Sequence, residues 1–204
     1  MPGLDNLLAK SLDNVIRANL SETTLQKVES RLFEKYGINL TQSFNEFQKL
    51  DSILKEFFGA GAEGLERKIL ENICTLKQIK NTEANWMTIE DPLLTKIILE
   101  SFGDEDKKKI LTTLTEEPRI VSEILDICKL PQTSGYRKIN VLINDGMVIT
   151  NGYITTSDGK RVNKYMSAFE NVKIDIVKNK VTVKVQLSDQ SMKDSLMIPL
   201  IQGR

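Results

Sequence analysis

The sequence predicts a mainly α-helical chain with an α+β C-terminal half, and three observations carry this expectation. Apolar residues recur at helical spacing through the first eighty positions. A second set of three short helices, each with capping residues at its ends, occupies Asp104 to Asp145. Two hairpins rich in β-branched residues follow, one from Met147 to Phe169 and one from Val172 to Leu187.

The front region reads as helix after helix. Leu4, Leu7, Leu8, Leu12, Val15 and Ile16 form one stripe. Ser21 is placed to cap a second helix bearing Leu25, Val28, Leu32, Phe33 and Tyr36, and Gly37 to stop it. Thr41 or Ser43 opens a third helix, whose apolar side carries Phe44, Phe47, Leu50, Leu54, Phe57 and Phe58 as core. A fourth carries Leu65, Ile69, Ile73 and Leu76. Four short helices with brief connections suit a small bundle. Lys77 to Asp91 is weakly periodic and reads as a connector, with the sole tryptophan, Trp86, docked on a flanking region. Asp91-Pro92 then opens a helix that continues through Leu94, Ile97, Ile98 and Phe102 to Gly103.

Composition narrows the function classes. With 40% hydrophobic and 27% charged residues, a folded globular chain is expected rather than a disordered one. No apolar run approaches the roughly 20 residues of a membrane span, and no basic segment precedes an apolar one at the N-terminus, so the expected location is cytoplasmic. The formal charge is zero, but residues 1–100 carry 12 bases and 15 acids whereas residues 101–204 carry 16 and 13. Between Lys129 and Lys164 six bases stand against two acids, which suits a local contact with a polyanion. There is no histidine, which removes Ser-His-Asp and Cys-His catalysis and every His-ligated zinc site. No enzyme, cofactor or metal is therefore expected. Cys74 and Cys128 read as reduced core thiols within helical segments. Gly59-Ala60-Gly61-Ala62-Glu63-Gly64 matches the dinucleotide fingerprint, but it follows a helical pattern instead of a strand. It reads as a glycine-rich turn.

The segment from Asp104 carries the functional expectation. Three acids open its first helix, Ile110, Leu111 and Leu114 face inward, and Glu117-Pro118 ends it. Ser122 is placed to cap a short second helix, Glu123 to Cys128. The third helix, Pro131 to Asp145, turns Gly135, Ile139 and Leu142 inward at i, i+4 and i+7. Gln132, Thr133, Ser134, Tyr136, Arg137 and Asn140 then occupy the opposite or flanking faces, with Lys138 adding a charge. Such side chains reach base edges and phosphates in a major groove. Asp158-Gly159 marks a primed hairpin turn, and Lys160, Arg161 and Lys164 lie at its tip and returning strand, placed for phosphates. Three helices followed by a two-stranded ribbon make a winged helix-turn-helix.

Thr113 to Tyr165 resembles the winged-helix domain of ArsR-like regulators of archaea and bacteria. The resemblance lies in Val121-Ser122-Glu123-Ile124, Leu130-Pro131-Gln132-Thr133-Ser134 and Tyr136-Arg137-Lys138-Ile139 with Leu142. It continues in Asp145-Gly146-Met147-Val148 and Asp158-Gly159-Lys160-Arg161-Val162 with Lys164-Tyr165. It implies sequence-specific binding to double-stranded DNA, as a homodimer, with Gln132, Thr133, Ser134, Tyr136 and Arg137 in the reading helix. Gly135 stands where a larger aliphatic residue is usual, a departure expected to loosen that helix. The metal-sensing cysteine and histidine clusters of some relatives are absent, so metal sensing does not carry over. Leu4 to Lys77 is similar to a small helical domain attached to regulators of ammonia-oxidising archaea.

The expected organisation is a helical bundle over 1–80 for dimerisation or for a partner or effector, then a linker and connecting helix over 81–103. The winged helix-turn-helix covers 104–170, and a β-hairpin with a tail covers 171–204. The alternating valines and isoleucines of that hairpin need a cover, from the bundle or from a second protomer. The competing expectation is a winged helix that contacts protein in a transcription complex without reading bases.

Overall fold

A computed structural model describes residues 3–78 and 85–202, and its secondary structure is mostly helical with antiparallel sheet, an α+β chain. Five helices come first: α1 (Gly3–Asn19), α2 (Glu22–Tyr36), α3 (Leu40–Asn45), α4 (Phe47–Phe58) and α5 (Ala62–Glu71). Ser21 caps α2 by accepting from the Thr24 N–H, and Gly37 ends it at φ 66°, a left-handed turn that glycine takes without penalty. The third helix starts earlier than the sequence suggested. Asn39, not Thr41 or Ser43, is its cap, in a reciprocal pair with Gln42. The expected single helix is also two, broken at Glu46 where φ is −127°. Gly59–Gly61 form a 3₁₀ turn between α4 and α5, so the glycine-rich motif does follow a helix.

The largest departure lies between residues 74 and 89. The fourth helix stops at Glu71, and β1 (Cys74–Gln78) and β2 (Asn85–Ile89) occupy the places expected for a helix end and a connector. Residues 79–84 of that connector lie outside the described residues. Cys74 is therefore a strand residue, buried and unbridged, and burial pushes its thiol up to about 12. Cys128 is a buried free thiol on a helix, as expected. Trp86, half-buried, sits on β2 opposite Gln186.

Helix α6 (Pro92–Gly103) opens at Asp91, whose carboxylate accepts from the Leu94 N–H and from the Ser11 hydroxyl at 2.7 Å. Next come α7 (Glu105–Glu116), α8 (Val121–Cys128) and α9 (Gln132–Asn144), then β3 (Val148–Thr155) and β4 (Arg161–Ser167). After Ala168 the chain enters β5 (Phe169–Val177), turns into β6 (Lys180–Leu187), and ends in α10 (Asp189–Asp194) and α11 (Ile198–Gln202). One sheet has the order β1-β2-β6-β5, antiparallel at every pairing; β3 and β4 form a separate ribbon.

The buried apolar residues form one cluster from Leu7 to Ile201. Helix α1 is the strut that joins its parts. It packs on α3, α5, α6, α9 and β3, and Lys10 reaches Asp145 at the end of α9 at 3.1 Å. Asp5, fully buried, accepts from the Ser195 hydroxyl at 2.5 Å and from the Leu196 N–H at 2.9 Å, anchoring the C-terminal segment. Burial raises the Asp5 carboxyl above its ordinary value, and these hydrogen bonds oppose the rise. The tail therefore docks: Met197, Ile198 and Ile201 are in the core. Glu66 on α5 is also buried, and burial, with the nearby charge of Asp51, pushes its carboxyl up to about 8. Three aromatics assigned to the core by periodicity are on the surface instead: Phe33, Phe57 and Phe58.

Candidate nucleic-acid interface

Helices α7 and α8 make the seat for α9. Asp104 caps α7 through the Asp106 and Lys107 N–H groups, and Ile110, Leu111 and Leu114 are buried. The second helix begins at Val121, so Ser122 lies inside it and is not the cap. The Glu123 carboxylate instead reaches back to the Ile120 N–H at 3.1 Å. Lys129, left-handed at φ 53°, turns the chain, and Pro131 leads into α9. Along α9, Gly135, Ile139 and Leu142 are buried, the three positions expected from spacing. Gly135 does not loosen the helix. A Cβ built there would lie 2.2 Å from Leu125 Cδ2 and 3.3 Å from Leu130 Cβ, so the missing side chain is what brings α9 close to α8. Gly146, at φ 72°, closes the helix.

Gln132, Thr133, Tyr136, Arg137 and Asn140 are exposed together on the outer face of α9. Ser134 is half-buried and donates to the Pro131 carbonyl at 3.2 Å, a local cap-like bond that occupies its hydroxyl. Lys138 is drawn the other way. Its Nζ sits 2.6 Å from Asp104 and 3.1 Å from Asp106, and only 19% of its side chain is exposed. This pairing raises the Lys138 amine and holds the Asp104 carboxyl below the usual range. Lys138 is therefore tied to the start of α7, apart from the exposed face.

The ribbon carries the remaining bases. A reciprocal backbone pair between Arg119 and Tyr165 (2.8 and 2.9 Å) adds a short third rung beside β4. At the tip the Gly159 N–H donates to the Thr156 carbonyl, and of these residues Gly159 alone has positive φ, 81°. This is a turn closed by one left-handed glycine, in place of the primed turn that Asp158-Gly159 suggested. Lys160 is exposed and pairs with Asp158 at 3.1 Å. Arg161 lies over the Tyr153 ring, 4.7 Å from its centre, a cation–π contact that orients the guanidinium. Lys164 is half-buried, and strand alternation puts it on the face opposite Arg161. The three ribbon bases thus do not converge on one face.

Two features escaped the sequence reading. Lys108 and Lys109 of α7 gather with Lys129 around a groove of about 380 Å³ between α7 and α8, a basic patch that a count begun at Lys129 could not include. Arg119 has a buried Nε without a hydrogen-bond partner, while its Nη2 pairs with Glu117 at 2.5 Å. The signal available for the first was the Lys107-Lys108-Lys109 run itself. Among the described residues no cluster of potential ligands could hold a metal ion, and no helix is long and apolar enough to cross a membrane. Comparison with protein-family models, with curated proteins and with solved structures finds no match.

Proposed function

We propose that this protein is a sequence-specific DNA-binding transcription regulator that acts through a winged helix-turn-helix at α7–α9 and β3–β4. The supporting observation is the two-sidedness of α9: Gly135, Ile139 and Leu142 dock it, while Gln132, Thr133, Tyr136, Arg137 and Asn140 stay free. Those groups read adenine, guanine and phosphate from a helix lying in the major groove. Lys160 and Arg161 on the neighbouring ribbon meet phosphates. Lys164 and Ser134 stand at the margin of this surface, and Lys138 holds α9 in place. A dimer places two such surfaces on one duplex and doubles the phosphate contacts, which a single neutral chain supplies sparsely. The reading carries a cytoplasmic location, no catalysis and no cofactor, and leaves the N-terminal helices to a partner or effector.

The second reading is a winged helix that binds protein. Tyr136 and Val141 are large exposed apolar groups on α9, and the engagement of Lys138 leaves fewer free cations than the sequence count. Genome-wide mapping of bound sites, followed by binding assays on those duplexes, tests the choice. Recovery of a shared sequence bound in vitro supports the regulator. Occupancy that follows another protein, with no affinity for bare duplex, selects the protein-contact module.

A further inference from the structure

The four-stranded sheet ends at β5, which pairs with β6 and with no other described strand. Its apolar face is well covered at the centre, where Met87, Val183 and Val185 are fully buried. The cover stops short of β5. On that face Ile174 is 36% exposed and Ile176 68%, on a strand that contains no proline. An uncovered apolar edge strand with free backbone groups is a template for another strand.

The register says which backbone groups are free. Lys178 and Asn179 are both left-handed, at φ 48° and 63°, the signature of a two-residue primed turn closing Val177 against Lys180. In that turn the closing pair exchanges both hydrogen bonds, and pairs alternate along the ladder. Val177, Asp175 and Lys173 therefore direct their N–H and C=O groups toward β6. Val172, Ile174 and Ile176 direct theirs to the open edge.

We propose that β5 pairs antiparallel with β5 of a second copy of this chain, with the two-fold axis at Ile174. This register sets Ile174 against its own counterpart and Val172 against the partner's Ile176, all on the apolar face. It sets Lys173 against the partner's Asp175 twice, in the non-hydrogen-bonded positions where side chains approach most closely. Moving the axis by one residue opposes Lys173 to itself or Asp175 to itself, which like charge disfavours. The strand is self-complementary in one register. In each monomer Lys173 and Asp175 already lie side by side, 3.7 Å apart and solvent-accessible, so pairing builds an alternating cluster of four charges. The symmetric arrangement closes on itself and joins two sheets into one. It specifies the dimer that the proposed regulator requires, but its test involves no DNA, so either proposal can fail alone.

The full chain is examined by sedimentation equilibrium, with circular dichroism as a check on folding. The parent is expected to be a dimer. Lys173→Glu and Asp175→Lys, each placing like charges opposite one another, are expected to weaken self-association by about tenfold or more while leaving the helical signal intact. Mixing the two single variants restores opposite charges at every position and is expected to give a heterodimer. The double variant, with the charges exchanged, is expected to dimerise like the parent. A monomeric parent, single variants as tight as the parent, or a mixture that stays monomeric would overturn the proposal.

Discussion

The two hairpins of the C-terminal half are separated by a single buried residue, Ala168, and are nearly equal in length, yet they belong to different surfaces. Among the described residues the β3–β4 ribbon pairs only with itself and the short rung at Arg119; it has a register shift beside Gly152 and ends in a tip of hydroxyl and charged groups. The β5–β6 hairpin pairs without a register shift after Asn171, turns in two residues, and joins β2 to extend a sheet. Each pattern suits a different partner. A charged, polar tip suits a phosphate backbone, whereas an apolar face must be covered by packing. The contrast teaches that alternation assigns the faces of a strand but not what lies opposite them.

The largest expected effect lies at the seat of α9. Gly135→Leu forces a side chain into the space held by Leu125 and should lower stability by about 3 kcal/mol in urea denaturation, while the folded fraction keeps its oligomeric state. An unchanged midpoint would mean that α8 and α9 are not so closely docked. Arg137→Ala should weaken binding to the preferred duplex by about 2 kcal/mol and relax preference at one base pair, read by competition binding. Undiminished preference removes Arg137 from the reading face. Lys160→Ala and Arg161→Ala should each lower affinity for all duplexes alike and reduce the salt slope by about 1, without altering self-association. A loss confined to one sequence would contradict a phosphate role for the ribbon.

The smallest effect separates Lys138 from its basic neighbours. Its partner Asp104 has a depressed carboxyl, so the pair contributes stability above the ordinary carboxylate range and loses it as the pH falls through the lower folded value. Lys138→Ala should therefore reduce stability slightly at neutral pH, and the difference from the parent should vanish once Asp104 is protonated. The salt slope of DNA binding should not change. A flatter slope would return Lys138 to the phosphate-contacting set.

Helical spacing made much of this molecule legible. The inward triplet of α9, the caps at Ser21 and Asp91, and the stop at Gly37 all follow from local chemistry, and each stands where spacing put it. What spacing missed is non-local. Ile69 and Ile73 continue a helical repeat, but the chain leaves the helix after Glu71 because β2 inserts between β1 and β6, which is about a hundred residues away in sequence. Periodicity also places an apolar face without saying how far the core extends, so Phe33, Phe57 and Phe58 continue their apolar stripes yet lie outside the core. Lys138 looked like its neighbour Arg137 because the sequence does not show that Asp104 folds against it. The Asp158-Gly159 signal marked a real hairpin but the wrong turn, while the primed geometry formed at Lys178-Asn179.

The regulator reading depends on the outer face of α9 entering a duplex groove beside the ribbon. Its most direct test is equilibrium binding of the full chain to duplexes selected from a random pool, repeated across a salt series. Selection of one sequence family, with log affinity falling linearly as log salt rises and with the preference lost in Arg137→Ala, is the predicted result. Failure of any duplex to be enriched, or affinity indifferent to salt, would contradict it.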